Sequence, residues 1–430
     1  MVFRVAVSAD TTRIDWTLDG QKKASGQKEF PLVFSEQDLG AHTLTVSVDS
    51  KGLLPDSRTW AIDVVSVPPG GPVRFKLAVD SDAHTAHGIN YPITYMFNLP
   101  SAVAGTSVHV KYREGDAFGK LTEKTADAYF NGIEAVRFDY AAHTAYVSVA
   151  FSSESDDIFL EFRAADNSVI SDVLYVGTSA YYDNRKAVVT ATFDDWQNGS
   201  SADFIAACNR FQSRRLWASV GIITGDINET VLNEVQGEID EGFIEPASHS
   251  RNHLGDTLFC LNAVSEVVGS SQDIRNNLRL PLFNANGGEE YVHAYLLPFG
   301  LICPTTISSL TNARYLVCRN SASEIYGFSS WRGNDEFYGP SGYSIRMGTD
   351  AVEDLDLLNG AFDRALASGG IYHLNMHPWA LGDTEWSTYG DAHLDYIRGR
   401  TDIWYVAFGH LYLYHYVTDR DLVTVTYVEP

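Results

Sequence analysis

The chain has 430 residues, 45% of them hydrophobic and 20% charged, an ordinary globular composition that is too long for one core and implies two to four domains. Its 31 Lys and Arg against 55 Asp and Glu give a formal net charge of −24. A surface that acidic repels phosphate backbones and anionic lipid, so nucleic acid is not expected as a partner and the charge reads as a solubility device. No apolar run reaches the length of a membrane span, and no basic n-region leads into an apolar h-region. Val2 to Val7 already reads as a strand, which leaves room for a signal peptide or a surface anchor in flanking sequence.

Residues 1–67 alternate as half-buried strands do. Leu44, Val46 and Val48 share one face of the run Ala41 to Val48, Trp60 to Val64 repeats the pattern, and Asp19-Gly20 marks a turn. A small antiparallel β-sandwich is expected. Through Trp16, Gly40 and the closing Trp60 run, the segment resembles the immunoglobulin-like and polycystic-kidney-disease-type modules of surface proteins. Pro68-Pro69-Gly70-Gly71-Pro72 can continue neither helix nor strand, so 68–72 reads as a linker. Residues 73–183 then hold seven strand-like runs, at 73–79, 93–97, 108–112, 135–138, 145–151, 158–162 and 169–176. With no long helix between them, a second all-β sandwich is expected. Neither segment carries a recognisable site, and a spacer role is preferred to sugar binding. Their histidines, His42, His84, His87, His109 and His143, read as surface or satisfied core residues.

From about 184 to 430 the pattern changes to strands alternating with helices. Strands are expected at 187–193, 216–223, 243–247, 292–297, 314–318, 371–376 and 403–408, with helices at 202–214 and 228–241. Another helix is expected at 351–367, where Asp350 and Glu353 give a start signal and Gly369-Gly370 a stop. Such alternation predicts a parallel sheet, and this length suits an α/β barrel. Four cysteines, Cys208, Cys260, Cys303 and Cys318, all lie in this segment without CxxC spacing. Thiolate zinc sites are therefore not expected, and an even number leaves one disulfide and buried free thiols as alternatives.

In barrels of this kind, functional side chains sit just after the strands. The first strand ends in Thr192-Phe193-Asp194-Asp195-Trp196. Adjacent strand residues face opposite ways, so both aspartates can serve one pocket only where the chain is turning. The third ends in Ser248-His249-Ser250-Arg251-Asn252-His253, whose two histidines at i and i+4 share one side of a helical turn and can reach one metal. A later strand ends in His373-Leu374-Asn375-Met376-His377-Pro378-Trp379. One carboxylate and two imidazoles can hold a divalent ion with open positions, leaving a spare carboxylate as base and a further histidine as acid. His373, four residues before His377, reads as a structural residue deeper in the barrel, and His410 and His415 as packing residues of the aromatic C-terminus.

The segment from about Ala187 onward resembles the NodB-type polysaccharide deacetylases, carbohydrate esterase family 4. Their Thr-Phe-Asp-Asp motif is matched by Thr192 to Asp195, their His-Ser/Thr-x-x-His motif by His249, Ser250 and His253, and their Leu-x-x-His-like strand end by Leu374 and His377. The resemblance implies a distorted (β/α) barrel, Asp194 as general base, Asp195, His249 and His253 as metal ligands, and His377 as general acid. It implies one divalent ion, zinc first, with cobalt, nickel or manganese as substitutes, and an acetylated polysaccharide or oligosaccharide substrate outside the cell or at its surface. Trp196, Pro298, Phe299, Trp331 and Trp379 are expected to line the sugar site, with simple packing the alternative for Trp196 and Trp379, N-acetyl groups being favoured over O-acetyl. Two departures stand out. The family's Arg-x-Pro-Tyr-Gly motif appears here as Leu296-Leu297-Pro298-Phe299-Gly300, with no arginine to hold the base. Its Asp and Trp motif has only the approximate counterpart Ser330 to Asp335, with Asp335 assigned as the partner of His377. The departures keep two alternatives open, a glycan-binding surface protein with a degenerate deacetylase domain and a metal-dependent amidase acting on a small non-sugar amide.

Overall fold

The computed structural model describes residues 2–5, 7, 11–32, 40–51, 56–64, 73–100, 104–125, 127–300, 302–320, 325–326, 342–348 and 352–428. They form two compact units, one ending at Val73 and the other running from Arg74 to Val428. In the first, the strands Gln21–Ser25, Thr11–Leu18, Gly40–Ser50 and Asp56–Val64 make an antiparallel sheet in that order, and Val2–Arg4 pairs with Glu29–Pro31. Alternation places Ile14, Trp16, Leu44, Val46 and Ile62 in its core. Trp16 is fully buried and stacks on Phe30 at 5.5 Å, and its indole N–H donates to the Gln27 carbonyl at 2.8 Å, so no polar group is stranded.

The second unit begins with two antiparallel sheets. One runs Gly119–Lys120, Ser107–Lys111, Asp157–Arg163, Arg74–Val79 and Val423–Val428; the other runs Ala135–Asp139, Thr144–Val149, Ile93–Asn98 and Leu174–Thr178. They meet through Phe75, Phe97 and Phe162, whose ring centroids lie 4.8 to 6.0 Å apart. The C-terminal strand, expected within the α/β segment, instead pairs with Arg74–Val79 and brings Tyr427 to 5.0 Å from Phe75. Its Val423, Val425, Tyr427 alternation is the signal for this pairing.

The remaining strands form a mainly parallel sheet in the order Ile325–Tyr326, Val317–Arg319, Ala294–Leu296, Ile244–Ser248, Ala218–Ile222, Ala187–Trp196, Ile371–Met376 and Gly342–Met347, with Ile403–Tyr405 also pairing with Ala187–Trp196. Only the Ile325–Tyr326 pairing is antiparallel. The helix expected at 351–367 spans Leu355–Ser368. It starts late because the Asp354 carboxylate accepts from the Asp356 and Leu357 N–H groups and caps it there, and Gly369 ends it in a left-handed conformation. The helix Phe408–Asp419 is buried on nearly every face, nine of its twelve residues being covered. It lies between the parallel sheet and the antiparallel layers, and its Tyr414 hydroxyl donates to the Ser179 carbonyl at 2.9 Å. None of the four cysteines forms a disulfide. Among the described residues, no helix is long and apolar enough to cross a membrane.

Beneath this helix, Glu245 is fully buried and accepts from Ser219 Oγ at 2.5 Å, Gly409 N at 2.9 Å and Asn284 Nδ2 at 3.5 Å. Burial outweighs these donors and pushes its pKa up to about 7. The folded state thus holds a proton that the unfolded chain releases above the ordinary glutamate range, so this contribution is present in acid and lost as pH rises through about 7. A shift of this size corresponds to roughly 3 kcal/mol. Calorimetric melting of wild type and Glu245→Gln between about pH 5 and pH 8 should show wild type losing stability relative to the variant as pH rises. A difference that stays flat with pH would contradict this account.

Candidate metal centre and its acid and base groups

The strand Ala187–Trp196 is anchored by Phe193, packed at 4.9 Å on Phe211, and by Trp196, stacked at 4.8 Å on Phe204. Trp196 is fully buried with its N–H donating to Ser201 Oγ at 3.1 Å, so it belongs to the core and cannot floor a sugar site, contrary to expectation. Between these anchors the pairing with Ala218–Ile222 slips, and Asp195 takes a left-handed φ of 75°. Aspartate tolerates that conformation better than most residues. The slip turns two consecutive carboxylates toward the same group of histidines: His249 acts on both, with His377 beside Asp194 and His253 beside Asp195.

His249 and His253 follow the buried strand Ile244–Ser248, but no helical turn joins them. Ser250 and His253 take left-handed φ values of 69° and 51°, and the His253 N–H donates to Ser250 Oγ at 2.9 Å, closing a tight turn. Two braces hold it from outside. Asn252 donates through N and Nδ2 to buried Glu266 at 2.8 and 2.7 Å, and Arg251 forks onto Asp273 with two bonds of 2.7 Å. Gly221 leaves room underneath: a Cβ there would meet Leu296 Cδ1 and the Phe193 carbonyl at 2.9 Å and His249 Cβ at 3.1 Å.

His249 Nε2 and His253 Nε2 lie 3.0 and 3.1 Å from the same atom, Asp195 Oδ1. His249 Nδ1 is 2.8 Å from the Leu296 carbonyl. A carbonyl only accepts, so the hydrogen of the neutral ring sits on Nδ1 and Nε2 presents a lone pair. Buried Asp195 Oδ1 therefore faces an acceptor at His249, in keeping with its having no hydrogen-bond donor. The ligand atoms of Asp195, His249 and His253 all lie within 4.8 Å of one another. Three donor atoms converging in this way can hold positive charge among them, and one carboxylate with two imidazoles suits a divalent ion such as zinc. The Leu296 carbonyl supplies the kind of outer hydrogen bond that would fix a ligating imidazole. Burial alone would raise the Asp195 pKa, but His249 and His253 outweigh it and hold the carboxyl below the usual range.

Asp194 is almost fully buried, and its Oδ1 forms an ion pair with Nη2 of Arg319, a residue the motifs did not single out. Burial works to raise its pKa, and Arg319 with the neighbouring histidines holds it below the carboxylate norm. His377, at the end of Ile371–Met376, places Nε2 3.6 Å from Asp195 Oδ2. Arg346 Nη2 donates to His377 Nδ1 at 2.9 Å, which leaves the hydrogen of the neutral ring on Nε2, facing the carboxylates. Burial, followed by Arg346 and His249, depresses the His377 pKa against the pull of Asp194 and Asp195. His373 is buried deeper, between Thr192 Oγ1 at 3.0 Å and Ser344 Oγ at 2.9 Å, and burial lowers its pKa to about 3, so it is a neutral packing residue.

Pro298 is buried in the short turn Pro298–Gly300, and that turn projects Phe299 at a φ of 53°. Phe299 is 60% exposed, with its ring 4.4 Å edge-on from His253, and Trp379 is 51% exposed, with its ring 5.2 Å from His377. Exposed aromatic faces thus lie beside His253 and beside His377. Trp331 and Asp335 lie outside the described residues.

No protein-family model and no curated protein matches the chain. Among solved structures it is similar to the Xyl-CE4 domain of a multidomain xylanase from the hindgut metagenome of Trinervitermes trinervoides, with 17% identity, a TM-score of 0.32, and coverage of 52% of this chain and 89% of that one. It is also similar to the peptidoglycan deacetylase PdaC from Bacillus subtilis, with 15% identity, a TM-score of 0.31 and coverage of 55% and 94%. A putative polysaccharide deacetylase from Mycobacterium smegmatis gives 13% identity, a TM-score of 0.38 and coverage of 59% and 98%. Likeness at this level assigns neither activity nor substrate to this chain.

If the three donors hold a divalent ion, adding zinc to chelator-treated protein will raise its melting temperature, by a stabilisation near 2.7 kcal/mol at about 100 times the Kd. Asp195→Asn should lose most of that increment, and calorimetric titration should give one site per chain in wild type. An identical zinc response in wild type and Asp195→Asn would place the ion elsewhere.

Proposed function

We propose that the chain is a metal-dependent hydrolase that removes acetyl groups, N-acetyl in preference to O-acetyl, from a polysaccharide or cell-envelope glycan. One observation carries the reading: Asp195, His249 and His253 converge on a single point, with a second carboxylate, Asp194, and a further imidazole, His377, at the same strand ends. The motif resemblance at Thr192 to Asp195, His249 to His253 and Leu374 to His377 supports it.

A divalent ion at such a site supplies a polarised water and positive charge for the oxygen of the attacked carbonyl. The protein supplies the proton movements. Asp194, charged and held in place on its Arg319 side, receives the proton that the attacking water gives up. His377 faces Asp195 Oδ2 with Nε2, and with Arg346 turned away from Nδ1 and a proton taken up there, the imidazolium gives its Nε2 proton to a departing amine and returns to the neutral ring. An amine leaves poorly without that proton, which is the reason for preferring N-acetyl substrates. Phe299 and Trp379 offer exposed rings against which a sugar face can stack. A glycan substrate of this kind places the protein outside the cell or at its surface.

The glycan-binding alternative drew on the missing arginine at Leu296 and on the two forward sandwiches; the guanidinium that Arg319 sets against Asp194 weakens the first of these grounds.

The test is acetate release from acetylated chitooligosaccharides, acetylated xylan and peptidoglycan, with zinc, cobalt, nickel or manganese added back after chelation. Activity should disappear on chelation and return with metal, and Asp194→Asn should lower kcat by about 100-fold or more. Acetate release that survives both treatments would end the proposal, and release only from small non-sugar amides would redirect it.

A further inference from the structure

We propose that Arg319 is the positioning residue for the base Asp194, supplied by the neighbouring strand in place of the turn residue Leu296. This rests on the deacetylase reading above. Leu296 ends the strand Ala294–Leu296, and its register partner in the parallel strand Val317–Arg319 is Arg319 itself. The two side chains therefore stand at the same height in the sheet, one strand spacing of about 4.8 Å apart. Leucine at the first position can offer no hydrogen bond, whereas a guanidinium one strand over can span the extra distance.

Arg319 is only 1% exposed, and both terminal nitrogens of its fork have partners. Nη2 contacts Asp194 Oδ1, and Nη1 donates to the Asn320 carbonyl at 2.8 Å, so the guanidinium plane is fixed at two points. Fixing it fixes the carboxylate rotamer. Stability alone gives little reason for such a pair, because burying two opposite charges roughly breaks even against two apolar side chains. Arg319 Nε is buried with no hydrogen-bond partner, a further cost that packing would have avoided with a leucine. What the pair does deliver is direction: it orients Asp194 at a strand end where the backbone is already turning away from regular pairing at Asp195. The arginine has changed strands while its target has stayed in place.

Two variants test this, Arg319→Met and the swap Leu296→Arg with Arg319→Leu, which returns a guanidinium to the turn. On an acetylated chitooligosaccharide with zinc, Arg319→Met should lower kcat by about 100-fold while KM stays within about 3-fold, and the swap should recover at least about 10-fold of that loss. Zinc affinity by calorimetric titration should be unchanged in both variants, separating a misplaced base from a damaged metal centre. A kcat within about 3-fold of wild type in Arg319→Met, or an equal loss in both variants, would overturn the assignment. If wild type itself releases no acetate, the deacetylase reading falls. Crystal structures of wild type and Arg319→Met then decide the positioning role: an unmoved Asp194 carboxylate overturns it and a rotated one upholds it.

Discussion

The site depends on one electrostatic constraint. Asp195 Oδ1 and the Nε2 atoms of His249 and His253 meet within 3.1 Å of the shared oxygen, and the His249 ring has its hydrogen committed on the far side to the Leu296 carbonyl. Donor atoms held this close are at ease only with positive charge, a proton or a cation, among them. The surrounding protein holds the three donors at this spacing, and the local architecture can be understood as the means of doing so.

That restraint is built from backbone strain and buried braces. Asp195, Ser250, His253 and Phe299 all adopt left-handed backbone conformations, and all four lie at the mouth of the parallel sheet. Each costs something of order 1 kcal/mol and persists only where packing leaves no alternative. Packing does so here. Trp196 and Phe193 pin the first strand on either side of the two aspartates, Glu266 and Asp273 grip the loop between the histidines, and Gly221 allows His249 to approach the strand beneath it. A flexible loop could supply the same ligands but would spread them apart in the absence of the ion.

Much of the site was legible because its residues lie in short runs at strand ends. Thr192 to Asp195, His249 to His253 and Leu374 to His377 each announce themselves within a few positions, and alternation of strand and helix supplies the order. What escaped notice depends on lateral neighbours. Arg319 lies 125 residues from Asp194 and meets it only because Ala294–Leu296 and Val317–Arg319 pair in register, a fact that no local window contains. Trp196 departs from its expected place for a related reason: its position after the aspartates points to the pocket, whereas the slip after Phe193 turns it back onto Phe204. The i, i+4 spacing of His249 and His253 suggested a helical turn, but Ser250 and its hydroxyl make a tighter one. The C-terminal strand Val423–Val428 carried a plain period-2 pattern, but its partner Arg74–Val79 stands some 350 residues earlier, so its pairing could not be read locally.

The strand Ile244–Ser248 shows how stability and chemistry are kept apart in this unit. Glu245, near one end, is buried among neutral donors, Ser219, Asn284 and the Gly409 N–H, and burial prevails, so its pKa rises to about 7. His249 lies just past the other end, about 13 Å away at the rise of an extended strand, where Arg319 and the histidines outweigh burial and carboxylates stay ionised. The two environments have opposite electrostatic outcomes because one faces the aromatic helix Phe408–Asp419 and the other faces the histidines and Arg319. Parallel α/β sheets commonly place catalysis at the C-terminal ends of their strands and leave the opposite ends to packing. Here the packing end is closed by a helix that also carries the chain back to the antiparallel layers, where Val423–Val428 joins Arg74–Val79. The antiparallel sheets are thus tied to the α/β portion by main-chain hydrogen bonds and by the Tyr414 contact, and they cannot be removed as a detachable spacer without unravelling the sheet edge that the C-terminus completes.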